Sequence, residues 1–347
     1  LGQYLNGKAT QYGVRELRRP WRRRFSGWRR FYHDQQRCSS QKTVHIWPAS
    51  YPLGHLVMRI FFSIITALFF ANVSLGASAD KVSGASGLKE LGITYTLKKS
   101  TDPIPNKIHV LRIDLGLNRV KPKVALGPDP DGDGPAEVAL TDPRKLASSP
   151  SVLAFVNTNP WDSFPNAQGQ KNRSWYAGQP VDIHGLAGTQ SKMRSAMAPS
   201  NASVWFDAKG RVRFGHQAED KPQEATTGFQ LILSKGKLTV GTGGARHPRT
   251  ALGTDEKGQI LWLVVVDGRQ PRYSEGMNMH ELASMMKELG CWTATNMDGG
   301  GSSIMGLVGQ DGKLKVMNRP SDRSFGRVKI RPLPMVLTIT KSPRLKE

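Results

Sequence analysis

Three consecutive glycines, Gly299-Gly300-Gly301, break the chain just after the stretch Thr293 to Asn296, with a carboxylate, Asp298, ahead of them and two hydroxyls, Ser302 and Ser303, behind. Such a run is a poor helix and strand former, because glycine has no side chain to pack and loses the most freedom on ordering. It can instead bring backbone N–H groups close to a ligand, as in anion-binding nests. Thr293 to Asn296 reads as a strand that delivers Asp298 into this loop. A second acid, Asp267, closes the unbroken apolar run Leu261 to Val266 and is followed by Gly268-Arg269. A run of that kind is expected at the centre of a sheet, covered on both faces. Two carboxylates at two strand ends form a candidate catalytic pair, although Asp-Gly is also an ordinary turn signal.

Elsewhere the pattern is mostly short strands. Leu91 to Leu97, Ile108 to Leu115 and Val152 to Val156 read as strands, the last ending at Asn157, and Val336 to Ile339 reads as a closing strand. Ala202 to Phe206 and Val212 to Phe214 flank a Lys209-Gly210 turn. Phe229 to Leu233 and Leu238 to Val240 flank Lys235-Gly236, so both pairs read as hairpins. Thr141-Asp142-Pro143 opens a short helix, with its cap before a first-turn proline. Asn278 caps another, with Glu281 three residues on as its capping-box partner. The stripe Leu282, Met285, Met286 and Leu289 is the core face of that helix rather than a ligand cluster. Many strands with few helices predict an α+β fold of largely antiparallel sheets.

Taken in order, Arg249-Thr250-Ala251-Leu252-Gly253, Leu263 to Arg269, Ser274-Glu275-Gly276-Met277, Glu281-Leu282-Ala283, Leu289-Gly290, Asn296 to Ser303, Asn318-Arg319-Pro320-Ser321 and Arg327-Val328 form a series. This series resembles the phosphodiester glycosidase family. Where that family carries Asn-Gly-Gly followed by aromatics near the end of an early strand, this chain reads Asn157-Thr158-Asn159-Pro160-Trp161. The resemblance implies one catalytic domain over residues 91–347. It implies a hydrolase that cleaves the anomeric bond of a sugar-1-phosphodiester, in envelope or extracellular polysaccharide metabolism. The alternative is a non-catalytic polysaccharide-binding or exopolysaccharide-assembly protein.

On that reading Asp298 is base or nucleophile and Asp267 assists, since glycosyl transfer to water generally employs two carboxyl groups. A phosphate leaving group lessens the need for an acid. Arg249 is the expected phosphate grip, because a guanidinium matches a phosphodiester bidentately. Arg269 is a second anion contact. Thr250, Ser302 and Ser303 are candidate donors to phosphate or sugar oxygens, and the amides of Gly299, Gly300 and Gly301 are candidate supports. Asn157 is placed to hydrogen-bond a sugar on which Trp161 stacks. Turn capping, surface ion pairing and strand ending are the plainer readings of these same residues. His184 and His247 lie in loops near the site, where solvated histidine is the default.

Asp129-Pro130-Asp131-Gly132-Asp133-Gly134 matches the first half of a calcium loop. Leu140 stands where the twelfth-position Glu belongs, so a full EF-hand is excluded. Asp129, Asp131 and Asp133 remain either a partial calcium site or an acidic turn. No cofactor is required, and calcium or magnesium is the candidate divalent ion.

The formal charge of +22 invites a nucleic-acid reading. The distribution argues against it. Residues 1–57 carry eleven Lys and Arg against Glu16 and Asp34, and the remainder shows no basic stripe interleaved with aromatics. A dispersed basic surface suits acidic polysaccharide, teichoic-type polymer or phosphodiester substrates equally well, so the expected partner is a carbohydrate or sugar-phosphate and not a nucleic acid. Met58-Arg59, the apolar run Ile60 to Ala71 and Ala77-Ser78-Ala79 read as a signal peptide at 58–79. That run is short against the ~20 residues of a span. The mature chain is therefore expected to begin at Asp80 and to be periplasmic or extracellular, with no span left after cleavage. Residues 1–57 read as a disordered leader or upstream sequence, and 80–90 as a linker. Cys38 and Cys291 are the only cysteines, so no disulfide is expected after cleavage, and Cys291 reads as a small buried residue.

Overall fold

The computed structural model describes residues 79–80, 86–198, 202–215 and 221–342. The leader at 1–57 and the signal segment up to residue 78 lie outside the described residues. Those that are described belong to one compact unit, 72–347. The fold is α+β, dominated by antiparallel sheets. An eight-stranded sheet runs in the order Ala79–Asp80, Ile93–Ser100, Asn106–Asp114, Ile260–Val266, Arg249–Thr254, Thr293–Asn296, Gln230–Ser234, Lys237–Leu238, with every neighbour antiparallel.

Ile260–Val266 is central, as its unbroken apolar pattern predicts. Leu261, Leu263 and Val265 point into one core cluster and Trp262, Val264 and Val266 into another, which is the two-residue alternation of a strand buried on both faces. The second cluster is closed by the helix Met279–Glu288, through Leu282, Ala283 and Met286. Its start carries the full capping box: Asn278 accepts from the Glu281 N–H, and the Glu281 carboxylate accepts from the Asn278 N–H, both at 2.9 Å. Cys291 is buried in this cluster, where burial pushes its thiol far above the ordinary range.

The first cluster is closed by a five-stranded sheet, ordered Leu314–Val316, Met305–Val308, Val152–Asn157, Met335–Lys341, Val120–Leu126. Another five-stranded sheet holds Lys192–Ser195, Ala187–Thr189, Glu224–Thr227, Ser203–Phe206 and Val212–Gly215. Both expected hairpins form, and Asp142 caps the short helix Pro143–Leu146. The expected linker differs. Ser86–Glu90 is a helical turn, and its Leu88 is buried in the first core cluster because the amphipathic turn packs under Ile93–Ser100. No helix among the described residues is long and apolar enough to cross a membrane.

Candidate active site

Two neighbouring strands, Arg249–Thr254 and Gln230–Ser234, hold Thr293–Asn296 between them and fix where the glycine loop begins. Three backbone bonds then steer the loop: Met297 N–H to Thr250 O (2.8 Å), Asp298 N–H to Thr158 O (2.9 Å) and Gly300 N–H to Pro248 O (3.0 Å). The three glycines answer three separate demands. A Cβ on Gly299 would press on the Pro248 carbonyl oxygen at 2.8 Å. Gly300 has φ of 64° and lies under the Arg269 guanidinium. A Cβ on Gly301 would collide with the Asp322 carboxylate and the Arg331 guanidinium. The run therefore serves close approach. The Gly300 N–H is spent on Pro248 O, and the Gly299 and Gly300 carbonyls accept from the Ser302 and Ser303 N–H groups.

Asn157 is the clamp between strand and loop. Its amide nitrogen donates to Asp298 O at 2.6 Å, and its amide oxygen accepts from Thr250 Oγ1 at 2.7 Å and Ile304 N–H at 3.1 Å. Both Asn157 and Thr250 are buried. The expected direct contacts of these two residues with sugar or phosphate are thus replaced by a positioning role, because their polar atoms already serve each other and the loop. Trp161 is likewise drawn inward. It packs on two core clusters and meets Trp175 edge-on at 5.5 Å.

Asp298 itself is partly open. Loss of solvation inside the loop pushes its carboxyl up to about 6, opposed by the Ser302 hydroxyl, Arg331, the Gly299 N–H and Arg269. Ser302 is buried and also accepts from Arg331 at 3.2 Å, and Arg331 grips Asp322 bidentately at 2.8 and 3.1 Å. Arg249 opens its strand, half-buried. It donates to Met277 O at 2.9 Å and Ala245 O at 3.2 Å, leaving other N–H donors of its five. Arg269 donates to His247 Nδ1 at 3.3 Å. Burial, then Arg269 and Arg249, hold His247 below its ordinary range, so it is neutral at pH 7 with its proton on Nε2. Burial, then Arg269, also lowers Arg249. A carboxylate, a neutral imidazole and three guanidiniums thus share one end of the central strands, a setting suited to an anionic substrate.

Asp267 lies on the inner side of that end. Its side chain is 0% exposed. Oδ1 accepts from Asn318 Nδ2 at 3.1 Å and the Arg319 N–H at 2.9 Å, and Oδ2 meets His109 Nε2 at 3.4 Å. Tyr95 Oη lies 2.8 Å from His109 Nδ1. Asn318 also donates to Ser303 O at 3.0 Å, so Asp267 holds the Asn318-Arg319 turn against the glycine loop. Asp267 is enclosed, whereas Asp298 is partly exposed, so the two expected carboxylates do not face one open surface together. Ser303 is equally enclosed: its hydroxyl, like that of Thr158, is buried without a hydrogen-bond partner among the described residues.

His109, Tyr95, Asp322 and Arg331 carried no local sequence signal. They reach the site by strand pairing and by a turn distant in the chain. Asn318 and Arg319 were visible as a motif without a role. The acidic stretch at 129–134 lies at the surface with two carboxylates already engaged: Asp129 accepts from the Gly132 N–H at 3.0 Å and pairs with Arg194 at 2.6 Å, and Asp131 accepts from the Ala136 N–H at 3.1 Å. Among the described residues no group of three or more His, Cys, Asp or Glu is placed to hold a metal ion.

The described residues thus form an antiparallel scaffold that presents a glycine-loop carboxylate among arginines. Residues 151–340 match the phosphodiester glycosidase family, and the chain belongs to it. An uncharacterized SPbeta prophage-derived protein, YomE of Bacillus subtilis (strain 168), is 36% identical over 185 residues, covering 50% of this chain. The chain spans about a quarter of that relative, 26% of its length. The catalytic domain of zebrafish N-acetylglucosamine-1-phosphodiester alpha-N-acetylglucosaminidase, auto-inhibited by its pro-peptide, shares the fold. Its TM-score is 0.53 at 21% identity, covering 72% of this chain and 83% of that one.

Proposed function

We propose that this protein hydrolyses the anomeric bond of a sugar-1-phosphodiester, with Asp298 as the catalytic carboxylate. The observation that carries this reading is the partly open Asp298, set in a desolvated loop under the influence of Arg331 and Arg269, with Arg249 next to Arg269. The ionised carboxylate acts as base or nucleophile at the anomeric carbon. In the base form it takes a proton from water, the hydroxide oxygen bonds to C1, and the C1–O bond breaks with its electrons passing to the phosphate. Arg249 and Arg269 receive that charge, and a phosphate leaves without protonation, so one carboxylate suffices where most glycosidases employ two. Neutral His247 offers its Nε2–H to the same oxygens.

The test is release of free sugar from a UDP-sugar or a sugar-1-phosphate diester. Wild type should release it and Asp298→Ala should not; equal release by both would sink the assignment. A protein that binds glycan but releases nothing would favour the non-catalytic reading. An envelope or extracellular setting, with the mature chain starting at Asp80, belongs to the same proposal. N-terminal sequencing of secreted material would check it, and a cytoplasmic product starting at Leu1 would remove it.

A further inference from the structure

The strands Arg323–Ser324 and Arg327–Val328 form a two-stranded hairpin, Arg323 opposite Val328 and Ser324 opposite Arg327. Phe325 and Gly326 make its turn, both with positive φ, 48° and 76°. Such a turn favours asparagine or glycine at its first position, and a bulky aromatic there is strained. The ring gains nothing from the fold in exchange, since Phe325 is 103% exposed. A large apolar side chain held under strain and fully in water needs a reason outside the fold.

Its neighbours supply the chemistry. Arg323 is engaged with Pro320 O, Asp322 O and the Gln270 side chain. Arg327 and Lys329 are exposed and make no ion pair among the described residues. The base of the hairpin is fastened to the catalytic loop: Lys329 N–H donates to Asp322 O at 2.9 Å, and the Asp322–Arg331 pair reaches Ser302. Three strand residues rise roughly 10 Å, which sets how far along the chain Phe325 stands from Asp322.

We infer that the 322–329 hairpin is a binding arm for a polyanionic, phosphodiester-linked glycan. Phe325 lies against a sugar ring beside the unit being cleaved, while Arg327 and Lys329 pair with neighbouring phosphates. The aromatic face covers apolar sugar surface and the cations match the charge. A neutral glycan would leave the cations without a role. The link to a sugar-phosphate site favours a glycan over a nucleic acid or a lipid surface. The inference rests on the proposed substrate class, though not on turnover.

The test uses the full chain carrying Asp298→Asn, which holds substrate without consuming it. The probe is a teichoic-type polymer with sugar-1-phosphate links; dextran, single-stranded DNA and phosphatidylglycerol vesicles are comparators. Phe325→Ala should weaken polymer binding about five- to tenfold, and Phe325→Tyr should restore it. Arg327→Ala with Lys329→Ala should weaken binding and flatten its dependence on salt. With Asp298 intact, kcat/KM should fall more for the polymer than for a UDP-sugar. Polymer binding that is absent, or unchanged in both variants, overturns the inference. So does Phe325-dependent binding to vesicles or DNA instead. If the chain releases no sugar yet binds polymer through Phe325, the hydrolase reading fails and the arm stands. If it releases sugar and binds polymer without need of Phe325, the hydrolase reading stands and the arm fails.

Discussion

At the scale of single residues, Asp298 is where function and stability pull apart. Desolvation raises its carboxyl to about 6, whereas in an unfolded chain it titrates near 4. Between those pH values the native state binds more protons, so stability falls as pH rises through that window and stays lower above it. Asp298→Asn keeps the shape and removes the buried charge. It should abolish sugar release and raise stability at pH 7–8 by about 1–3 kcal/mol, the shift being discounted for partial exposure. Urea unfolding at pH 4.5 and 7.5 checks this, with the gain expected only at the higher pH. On the proposed mechanism the ionised form acts, so kcat/KM should climb through about pH 6 to a plateau. A profile flat from pH 5 to 8 would exclude Asp298 as the titrating group. Arg249 separates recognition from chemistry. A charge-assisted contact is worth ~1.5–3 kcal/mol, so Arg249→Ala should cost roughly tenfold or more on phosphodiesters. Arg249→Lys should retain part of the activity, since lysine keeps charge without the fork. Equal losses on phosphate-free aryl glycosides would assign Arg249 to the fold or the sugar.

At the scale of elements, the glycine loop works because three other segments are threaded against it. Gly301→Ala forces a methyl into the Asp322–Arg331 pair, and the backbone behind it cannot retreat from its bonds to Gly299 and Pro248. It should cost about 1–3 kcal/mol, as overpacking does, and lower kcat by displacing Ser302 and Asp298. Asn157→Ala removes two buried hydrogen bonds and one partly buried one and should cost about 2–4 kcal/mol, leaving Thr250 and Ile304 N–H unpaired. Thermal unfolding with a kcat measurement tests both. The loop, the strand Ile260–Val266 and the capped helix were legible because each carries a strong local signature: three glycines, an unbroken apolar run, and Asn278 with Glu281. The strands Val120–Leu126 and Met305–Val308 were not. Pro122 interrupts the first and Gly306 the second; the first pairs with Met335–Lys341 and the second joins the sheet's centre through Val152–Asn157, both far away in sequence. The same reason hid the enclosure of Asp267. From sequence it resembles Asp298, a carboxylate after a strand and before glycine. Only the pairing of Ile260–Val266 with Asn106–Asp114 brings His109 alongside Val265, and the return of Asn318-Arg319 completes its burial.

At the scale of the whole molecule, charge is the property that no single contact explains. Of the formal +22 of the full sequence, +12 falls on residues 80–347, where basic residues are spread rather than gathered in one stripe. Such a field raises the local concentration of a polyanion and speeds encounter, and it is screened within ~8–10 Å at physiological salt. Contacts inside the site respond differently, because Arg249 is half-buried and Arg331 is held by Asp322. Long-range attraction should therefore be lost first. For a polymeric phosphodiester, kcat/KM should fall by about tenfold or more between 0.05 and 0.5 M salt, carried mainly by KM. For a short UDP-sugar the fall should be smaller, and kcat should change little for either substrate. Steady-state kinetics across a sodium chloride series would decide it. A fall confined to kcat would place the salt effect on the Arg331–Asp322 pair at the loop, and parallel losses on both substrates would assign substrate capture to the site alone.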